Sequence, residues 1–331
     1  MRIGIVFDLK EDYGIQNEDI DYYDFCFLSE AEAAFKHLQL AGYDTFYIGS
    51  PAMLLQRIKA NSLDCDIIYN IAEGYKSRNR EGIVPSVCEA FGIPYTGTDA
   101  FGLSLSLHKY QTACFLKPYG ISIPKSILFT PDLDGIDKID IKTSQAGINY
   151  PVLLKPNHEG SSMGLMMIET RGQLKSALLN LVRRFQQEIL IQEYIPGKEI
   201  STCILGSGND SYIYSTVEYI TPDGKDIDLF TKQVKINGNH QMISARLDKR
   251  KLYAMNEQAL YIHRIMGMKD ISRIDWRYDT QKEQAYFIEA TPLPELSEGT
   301  EFHWAAKNNQ QPYSYVFSEI IRSAVSRYGL T

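Results

Sequence analysis

The chain has 331 residues, too many for one small core, and predicts two or three packed domains. Its 44% apolar and 23% charged residues match an ordinary soluble globular protein, and no apolar run is long enough to span a bilayer. A net charge of -7 argues against a broad nucleic-acid surface but leaves room for a local basic pocket.

The opening MRIGIVFDLKEDY reads as a buried strand rather than a signal peptide. Residues 2–8 form that strand. Residues 29–41 have helical periodicity, with Ser29 as N-cap, and residues 43–48 return to a strand. A helix over 53–60 and a strand over 66–71 complete a βαβαβ order, which predicts a parallel sheet with helices on both faces. Ligands of such sheets gather at the carboxyl ends of strands, where Asn70 and Glu73 lie. The Gly/Pro-rich joint GIPYTGTD (92–99) follows, then two helical stretches to residue 119 and an extended segment over 121–129. Residues 131–150 read as a polar, irregular surface excursion. Strands over 152–155 and 165–169 flank a Gly/Ser loop, and a helix covers 173–185. The strand at 189–194 opens the last part. That part holds further strands, a polar loop at 221–240, a helix, paired strands at 271–278 and 284–290, and a closing helix over 313–327. The five cysteines (Cys26, Cys65, Cys88, Cys114, Cys203) are scattered and never spaced CxxC. That speaks against zinc or a disulfide framework and for reduced thiols in a cytoplasm.

Two segments carry chemistry. In PVLLKPNHEGSSMG (151–164) an apolar strand delivers Lys155 to a turn of small residues. Small residues let backbone N–H groups approach an anion, hydroxyls add donors, and lysine adds a compact charge. The chain has neither GxxxxGK[ST] nor GxGxxG there, so no P-loop NTPase or dinucleotide site is supported. Alone, the segment is equally a Gly/Ser hairpin with a snorkelling lysine. In SRIDWRYDTQKEQAYFIEAT (272–291) Asp275 and Glu289 sit on two strands joined by a polar turn. Facing carboxylates suit a hard cation such as Mg2+. Period-two alternation puts Arg273 on the face of Asp275, where it would hold a phosphoryl group or an oxyanion. Alone, this triple is more often a hairpin with exposed charges.

Together these segments resemble the ATP-grasp superfamily in its D-alanine–D-alanine ligase branch. The resemblance covers most of the chain in order, through EGIVPSVCEAFGIPYTGTD (81–99), SLHKYQTACFLKPYGI (106–121), PVLLKPNHEGSSMG, ILIQEYIPGKEISTCILG (189–206) and RIDWRYD…AYFIEATPLPELS (273–297). It implies an N-terminal Rossmann-like domain with a parallel sheet (1–100), a central ATP-grasp domain with the phosphate loop (101–191) and a C-terminal ATP-grasp domain (192–331), with ATP between the last two. By this resemblance Lys109 and Lys155 contact the phosphates, and Gly160, Ser161, Ser162 and Gly164 belong to a mobile loop over them. Gln192, Glu193, Tyr194 and Ile195 form the adenine hinge, and Glu199 accepts from the ribose. Lys232, in DIDLFTKQ, reaches the phosphates from a second lid. Asp275 and Glu289 hold Mg2+, expected as two ions, with Mn2+ as a substitute and Thr291 in place of the family's asparagine ligand. Arg273, with Ser161 and Lys232, serves the chemistry: one carboxylate is phosphorylated and an amine displaces the phosphate.

The departures cluster at the substrates. The family's ammonium-binding glutamate is replaced in YYDFCFLSEAEA (22–33) by Phe25, with Asp24 and Glu30 as acids that would substitute. Glu73 stands for the family's histidine. Arg78 and Arg80 in YKSRNREG are candidates for a substrate carboxylate or are solvated loop charges. Glu295 replaces an oxyanion-hole glycine, and Ser297 or Thr300 stands for a substrate-binding serine. His108, His158, Trp276 and Trp304 read as positional or packing residues, with His158 toward solvent. These changes point to a ligase joining amino acids or related compounds other than two D-alanines. The alternatives are a true D-alanine–D-alanine ligase and an inactive nucleotide-binding regulator. Small amino-acid or carboxylate substrates, no nucleic acid or membrane partner, and a homodimer are the expected associations.

Overall fold

The computed structural model describes residues 1–15 and 25–330. Strands β1 (Arg2–Val6), β2 (Asp44–Gly49) and β3 (Ile67–Asn70) pair in parallel, in the order β2-β1-β3. Alternation along β1 sends Ile3 and Ile5 to one face and Val6 to the other. Helix α1 (Leu28–Leu40) covers the first face, and α2 (Pro51–Lys59) and α3 (Ile83–Phe91) cover the second. This is the parallel sheet expected from the βαβαβ pattern. The start of α1 differs from the sequence reading. Ser29 lies inside the first turn, because the carbonyl of Phe27 already accepts from Glu30 and Ala31 N–H, so no side chain caps the helix.

Helices α4 (Ala100–Leu107) and α5 (Lys109–Leu116) follow. Asp99 caps α4 by accepting from Gly102 N–H at 3.0 Å. The second sheet is antiparallel, in the order β4-β7-β5-β6, from β4 (Ser126–Phe129), β5 (Val152–Pro156), β6 (Met166–Ile168) and β7 (Ile189–Glu193). Strand β7, read as opening the last part, pairs here with both β4 and β5, and it runs through the boundary drawn at 191/192. Helices α6 (Ile139–Gln145) and α7 (Arg171–Phe185) pack on this sheet. Residues 131–150 are therefore not only a surface excursion. Ile139 and Ile148 enter the core with Leu174 and Leu178, the apolar spacing of Ile136, Ile139 and Thr143 being helical.

The third sheet is β10-β9-β8-β11-β12, again antiparallel. Its strands are β8 (Lys198–Leu205), β9 (Tyr212–Ile220), β10 (Gln241–Ser244), β11 (Ile271–Asp279) and β12 (Gln284–Thr291). The polar loop between β9 and β10 holds the short helix α8 (Lys232–Ile236). Helix α9 (Lys249–Ile265) packs against Ile274, Trp276 and Tyr278 of β11. The opposite face meets α10 (Glu301–Asn308) and α11 (Ser314–Tyr328). Helix α11 also covers the first sheet: Phe317 and Ile320 share a core with Ile3, Ile5 and Tyr69. Among the described residues no helix is long and apolar enough to cross a membrane.

Candidate active site

Alternation on β11 decides the site. Ile274, Trp276 and Tyr278 go into the core with α9, so Arg273, Asp275 and Arg277 project from the other face. That face borders a cavity of about 350 Å³, walled on its other side by Leu153, Lys155 and Gln192 of the second sheet. Asp275 and Glu289 are directly paired across β11 and β12, as are Arg273 and Thr291. All four line the cavity.

Lys109 reaches the same place from α5. Its helix start is fixed to the end of β5, since Asn157 accepts from Lys109 N–H through its carbonyl (3.1 Å) and from Tyr110 N–H through its side chain (3.0 Å). Lys109 Nζ donates to Glu289 Oε1 and to the Glu159 carbonyl, both at 2.5 Å. Burial alone would raise the Glu289 carboxyl, but Lys109, then Lys155 and Arg273, outweigh it and hold it below the usual range. Lys155 donates to Gln192 Oε1 at 3.0 Å. Burial pulls its ammonium down to about 8, with Lys109 adding to the fall and Glu289 opposing it.

Arg273 grips Asp275 with Nε (2.8 Å) and Nη2 (2.9 Å), and its Nη1 lies 3.5 Å from Glu301 Oε2. Ser201 donates to Asp275 Oδ1 at 2.6 Å, and the Tyr219 hydroxyl donates to Glu301 Oε1. Arg277 organises the hinge. It donates to the carbonyls of Ile195 and Ile227 and to Glu199 Oε2, each at 2.9 Å, and its guanidinium lies 5.6 Å from the Tyr194 ring centre. Gln192, Glu193, Tyr194, Ile195 and Glu199 all line the cavity beside it.

In the loop after β5, Gly160, Ser161 and Ser162 line the cavity. Ser161 and Ser162 both have left-handed backbones, with φ of 51° and 57°. Such conformations persist only where the surroundings fix them. Ser162 Oγ donates to the Phe230 carbonyl at 3.0 Å, joining this loop to the one that carries α8. Gly164 stands behind the loop and does not line the cavity. The second loop brings Lys235 to the cavity wall rather than Lys232.

The cavity is also lined by Phe25, Phe27, Glu30, Glu73, Glu81, Glu295, Thr300 and Glu301. The arginines of residues 75–82 do not join them. Arg78 is exposed, and its carbonyl pairs with His108 Nε2 at 2.9 Å. Arg80 is buried behind the wall, with Nη1 3.1 Å from Glu81 and 4.0 Å from Glu73. Asp24 lies outside the described residues. His158 does not face solvent. Its ring packs 4.3 Å from that of His108, with Nε2 2.9 Å from Glu188 Oε2. Trp276 is a fully buried packing residue that donates to Thr202 Oγ1 at 3.2 Å.

The donor set fits a cation that draws most of its ligands from elsewhere. Two facing carboxylates and the Thr291 hydroxyl are within one cavity, and no group of three or more His, Cys, Asp or Glu able to hold a metal forms among the described residues. Mg2+ beside nucleotide phosphates needs no more. Sequence reasoning missed Arg277, Ser201, Tyr219, Glu81 and Glu301. The alternation that found Arg273 and Asp275 also marks Arg277 and, on β8, Ser201. Nothing local marks Tyr219, Glu81 or Glu301, whose place depends on how distant elements dock.

A family model described as D-ala D-ala ligase C-terminus matches residues 115–322. A D-alanine–D-alanine ligase of Xanthomonas axonopodis pv. citri (strain 306) is 28% identical over 232 residues, covering 70% of this chain and 70% of the relative. An uncharacterized protein, y4sG, of Sinorhizobium fredii (strain NBRC 101917 / NGR234) is 26% identical over 265 residues, 79% and 75% of the two chains. The crystal structure of D-alanine–D-alanine ligase from Bacillus anthracis complexed with ATP superposes with a TM-score of 0.75 at 19% identity, covering 99% of each chain. At that identity the likeness is one of fold.

Proposed function

The chain belongs to the D-ala D-ala ligase C-terminus family of ATP-grasp ligases, and from that premise we propose that it joins a carboxylate to an amine through an acyl phosphate, consuming ATP. The observation that carries this reading is the convergence of Lys109, Lys155, Arg273, Asp275 and Glu289 on one cavity that also meets the Ser161–Ser162 turn and the Tyr194 hinge. A carboxylate and an ammonium do not condense in water unaided, and phosphoryl transfer needs mainly positioning and neutralised charge.

In this reading adenine lies on the hinge of residues 192–195, which Arg277 holds in place, and Glu199 faces the ribose. Lys109 and Lys155 draw the phosphates in. Asp275 and Glu289, with Thr291, would hold Mg2+, which neutralises phosphate charge when bound. Arg273 stabilises the transferring phosphoryl group and the oxyanion formed when the amine attacks. Its two contacts to Asp275 fix its direction beforehand. The loops joined by Ser162 and Phe230 exclude water, which would hydrolyse the acyl phosphate. Lys235 and Lys232 sit in the second of these loops, and Lys235 has the cavity-facing position.

The test is phosphate release by the purified protein with ATP, Mg2+ and single amino acids or carboxylate–amine pairs. Stimulation by at least one pair, with a product that contains a new amide bond, is expected. Arg273→Ala should lower the rate about a hundredfold or more while ATP still binds. ATP binding with no stimulation by any pair would refute the reading.

A further inference from the structure

The proposed reaction asks for a base that the groups described above do not supply. Near neutral pH an amine is held mainly as ammonium, and its nitrogen attacks only once a proton has left it. The acids and bases around Arg273 are already engaged. Asp275 accepts twice from Arg273 and once from Ser201. Glu289 accepts from Lys109, and Lys155 donates to Gln192. The Tyr219 hydroxyl donates to Glu301, and burial, then Glu301, hold the phenol far above neutral pH. Burial opposes the charge of Glu301, but Arg273, followed by Tyr219, keeps its carboxyl below the ordinary range, which makes it a poor base.

His240 stands apart from these pairs. It lies immediately before β10, at the end of the loop that carries α8, and among the described residues it is the one histidine that lines the cavity. Its ring meets Phe230 edge-on, with centres 5.1 Å apart and planes at 76°, and lies 6.0 Å from the Tyr219 ring. Phe230 and Tyr219 are themselves 4.5 Å apart. These neighbours tie the imidazole to both sides of the proposed acyl centre. The Phe230 carbonyl accepts from Ser162 of the phosphate loop, and Tyr219 reaches Arg273 through Glu301. His240 Nδ1 is buried, with no hydrogen-bond partner among the described residues, so the ring meets a ligand in the cavity through Nε2. The histidines nearer the phosphate loop are placed otherwise. His108 Nε2 pairs with the Arg78 carbonyl, and burial, followed by His108, lowers the His158 ring to about 3.

Resting on the ligase reading above, we propose that His240 is the general base of the second step, taking a proton from the ammonium of the incoming amine. Histidine suits this work because it both accepts and releases a proton near neutral pH. His240 Nε2 removes one proton, and the freed nitrogen pair forms the C–N bond at the acyl carbon. The C–O bond to phosphate breaks, and its electrons leave with the phosphate. That phosphate carries off the second proton lost by the nitrogen, and His240 gives its own proton to water as the product departs. The second loop thus contributes a reacting group as well as excluding water, and the base arrives only where Ser162 and Phe230 have joined the two loops.

The experiment separates the two steps by the charge of the nucleophile. The full-length protein receives ATP, Mg2+ and a mixture of the common amino acids in both chiral forms, as carboxylates and amines alike, and amide product and phosphate are measured. A parallel set adds hydroxylamine in excess. Hydroxylamine is largely uncharged near neutral pH and traps an acyl phosphate as the hydroxamate with no proton to be removed beforehand. His240→Gln keeps a hydrogen-bonding group but takes no proton. It should lower the kcat for amide formation about a hundredfold, with hydroxamate formation and the Kd for ATP within about twofold of the parent. His240→Ala should behave alike, and added imidazole should recover amide formation about tenfold. Hydroxamate formation by the same preparations shows that each variant is folded. An equal loss with hydroxylamine and with the amino acids would overturn this proposal, since a residue that only shapes the loop gives that result. Unchanged amide formation in both variants would also overturn it, and either outcome leaves the ligase reading standing. Neither phosphate release nor hydroxamate from the parent protein, while ATP still binds, would overturn both.

Discussion

Lys155 shows what the proposed phosphate site costs before phosphate arrives. Burial brings its ammonium down to about 8 from the ordinary lysine value. The unfolded chain therefore holds this proton more firmly than the folded one. Between about pH 8 and pH 10.5 stability contributed by this group rises with pH, and below pH 8 the folded state bears the full cost, roughly 3 kcal/mol for a shift of this size. Lys155→Met should accordingly stabilise the nucleotide-free protein at pH 7 by about 1–3 kcal/mol in denaturant titrations and abolish the gain between pH 8 and 10. ATP-dependent turnover should fall about a hundredfold or more. A variant less stable than the parent at pH 7 would contradict this account. At this scale the sequence was readable where a strand carried the residue: alternation and pairing set Arg273, Asp275 and Glu289 together, and the family resemblance marked that face as a site. It was not readable for Arg78 and Arg80, because charge spacing in a loop does not say which side faces inward.

Among the elements, the loop after β5 has little freedom to change. Ser161 and Ser162 turn through left-handed conformations, and Gly164 follows at φ 66°. A Cβ at Gly164 would come within 2.7 Å of both the Phe185 ring and Pro156, a distance that side chains never keep. Gly164→Ala thus combines left-handed strain of about 1 kcal/mol with a clash against α7 and β5 that neither element can relieve cheaply. The expected result is a loss of about 2–3 kcal/mol in unfolding free energy and a KM for ATP raised about tenfold, because the hydroxyls of Ser161 and Ser162 move with the backbone. Unchanged ATP kinetics would mean that the loop does not close over phosphate. Elements were legible in proportion to their periodicity. The βαβαβ order, β5 and β11 stood out, while α6 was lost in a polar stretch whose few apolar residues must be placed on a helix before they look like a face. Ser29 was misplaced because a serine near a helix start is only a cap if its backbone stops there.

For the molecule as a whole, the question is what keeps the first domain's side of the cavity, with Glu73 and Glu81, opposite Arg273. Helix α11 supplies the apolar part, between the first and third sheets. Asp270 supplies the polar part and is completely buried. It accepts from Gly97 N–H (2.8 Å) at the end of the first domain, from Ser207 Oγ (2.9 Å) after β8, and from Ser323 Oγ and Arg327 Nη2 (both 2.7 Å) on α11. Asp270→Asn is a discriminating change. The backbone there has φ of 68°, which asparagine accepts as readily as aspartate, so the substitution adds no strain. It removes the charge opposite Arg327 and turns an amide NH2 toward two of these donors. Breaking one side of a buried pair is worth about 3–5 kcal/mol. If the tie also sets the distance between the walls, KM for the amine and carboxylate substrates should rise at least fivefold, a difference of about 1 kcal/mol. The Kd for ATP, which the proposed reading places between the second and third sheets, should stay within about twofold. Equal weakening of ATP and substrates would show that Asp270 supports stability alone, and that the first domain keeps its place by packing on α11.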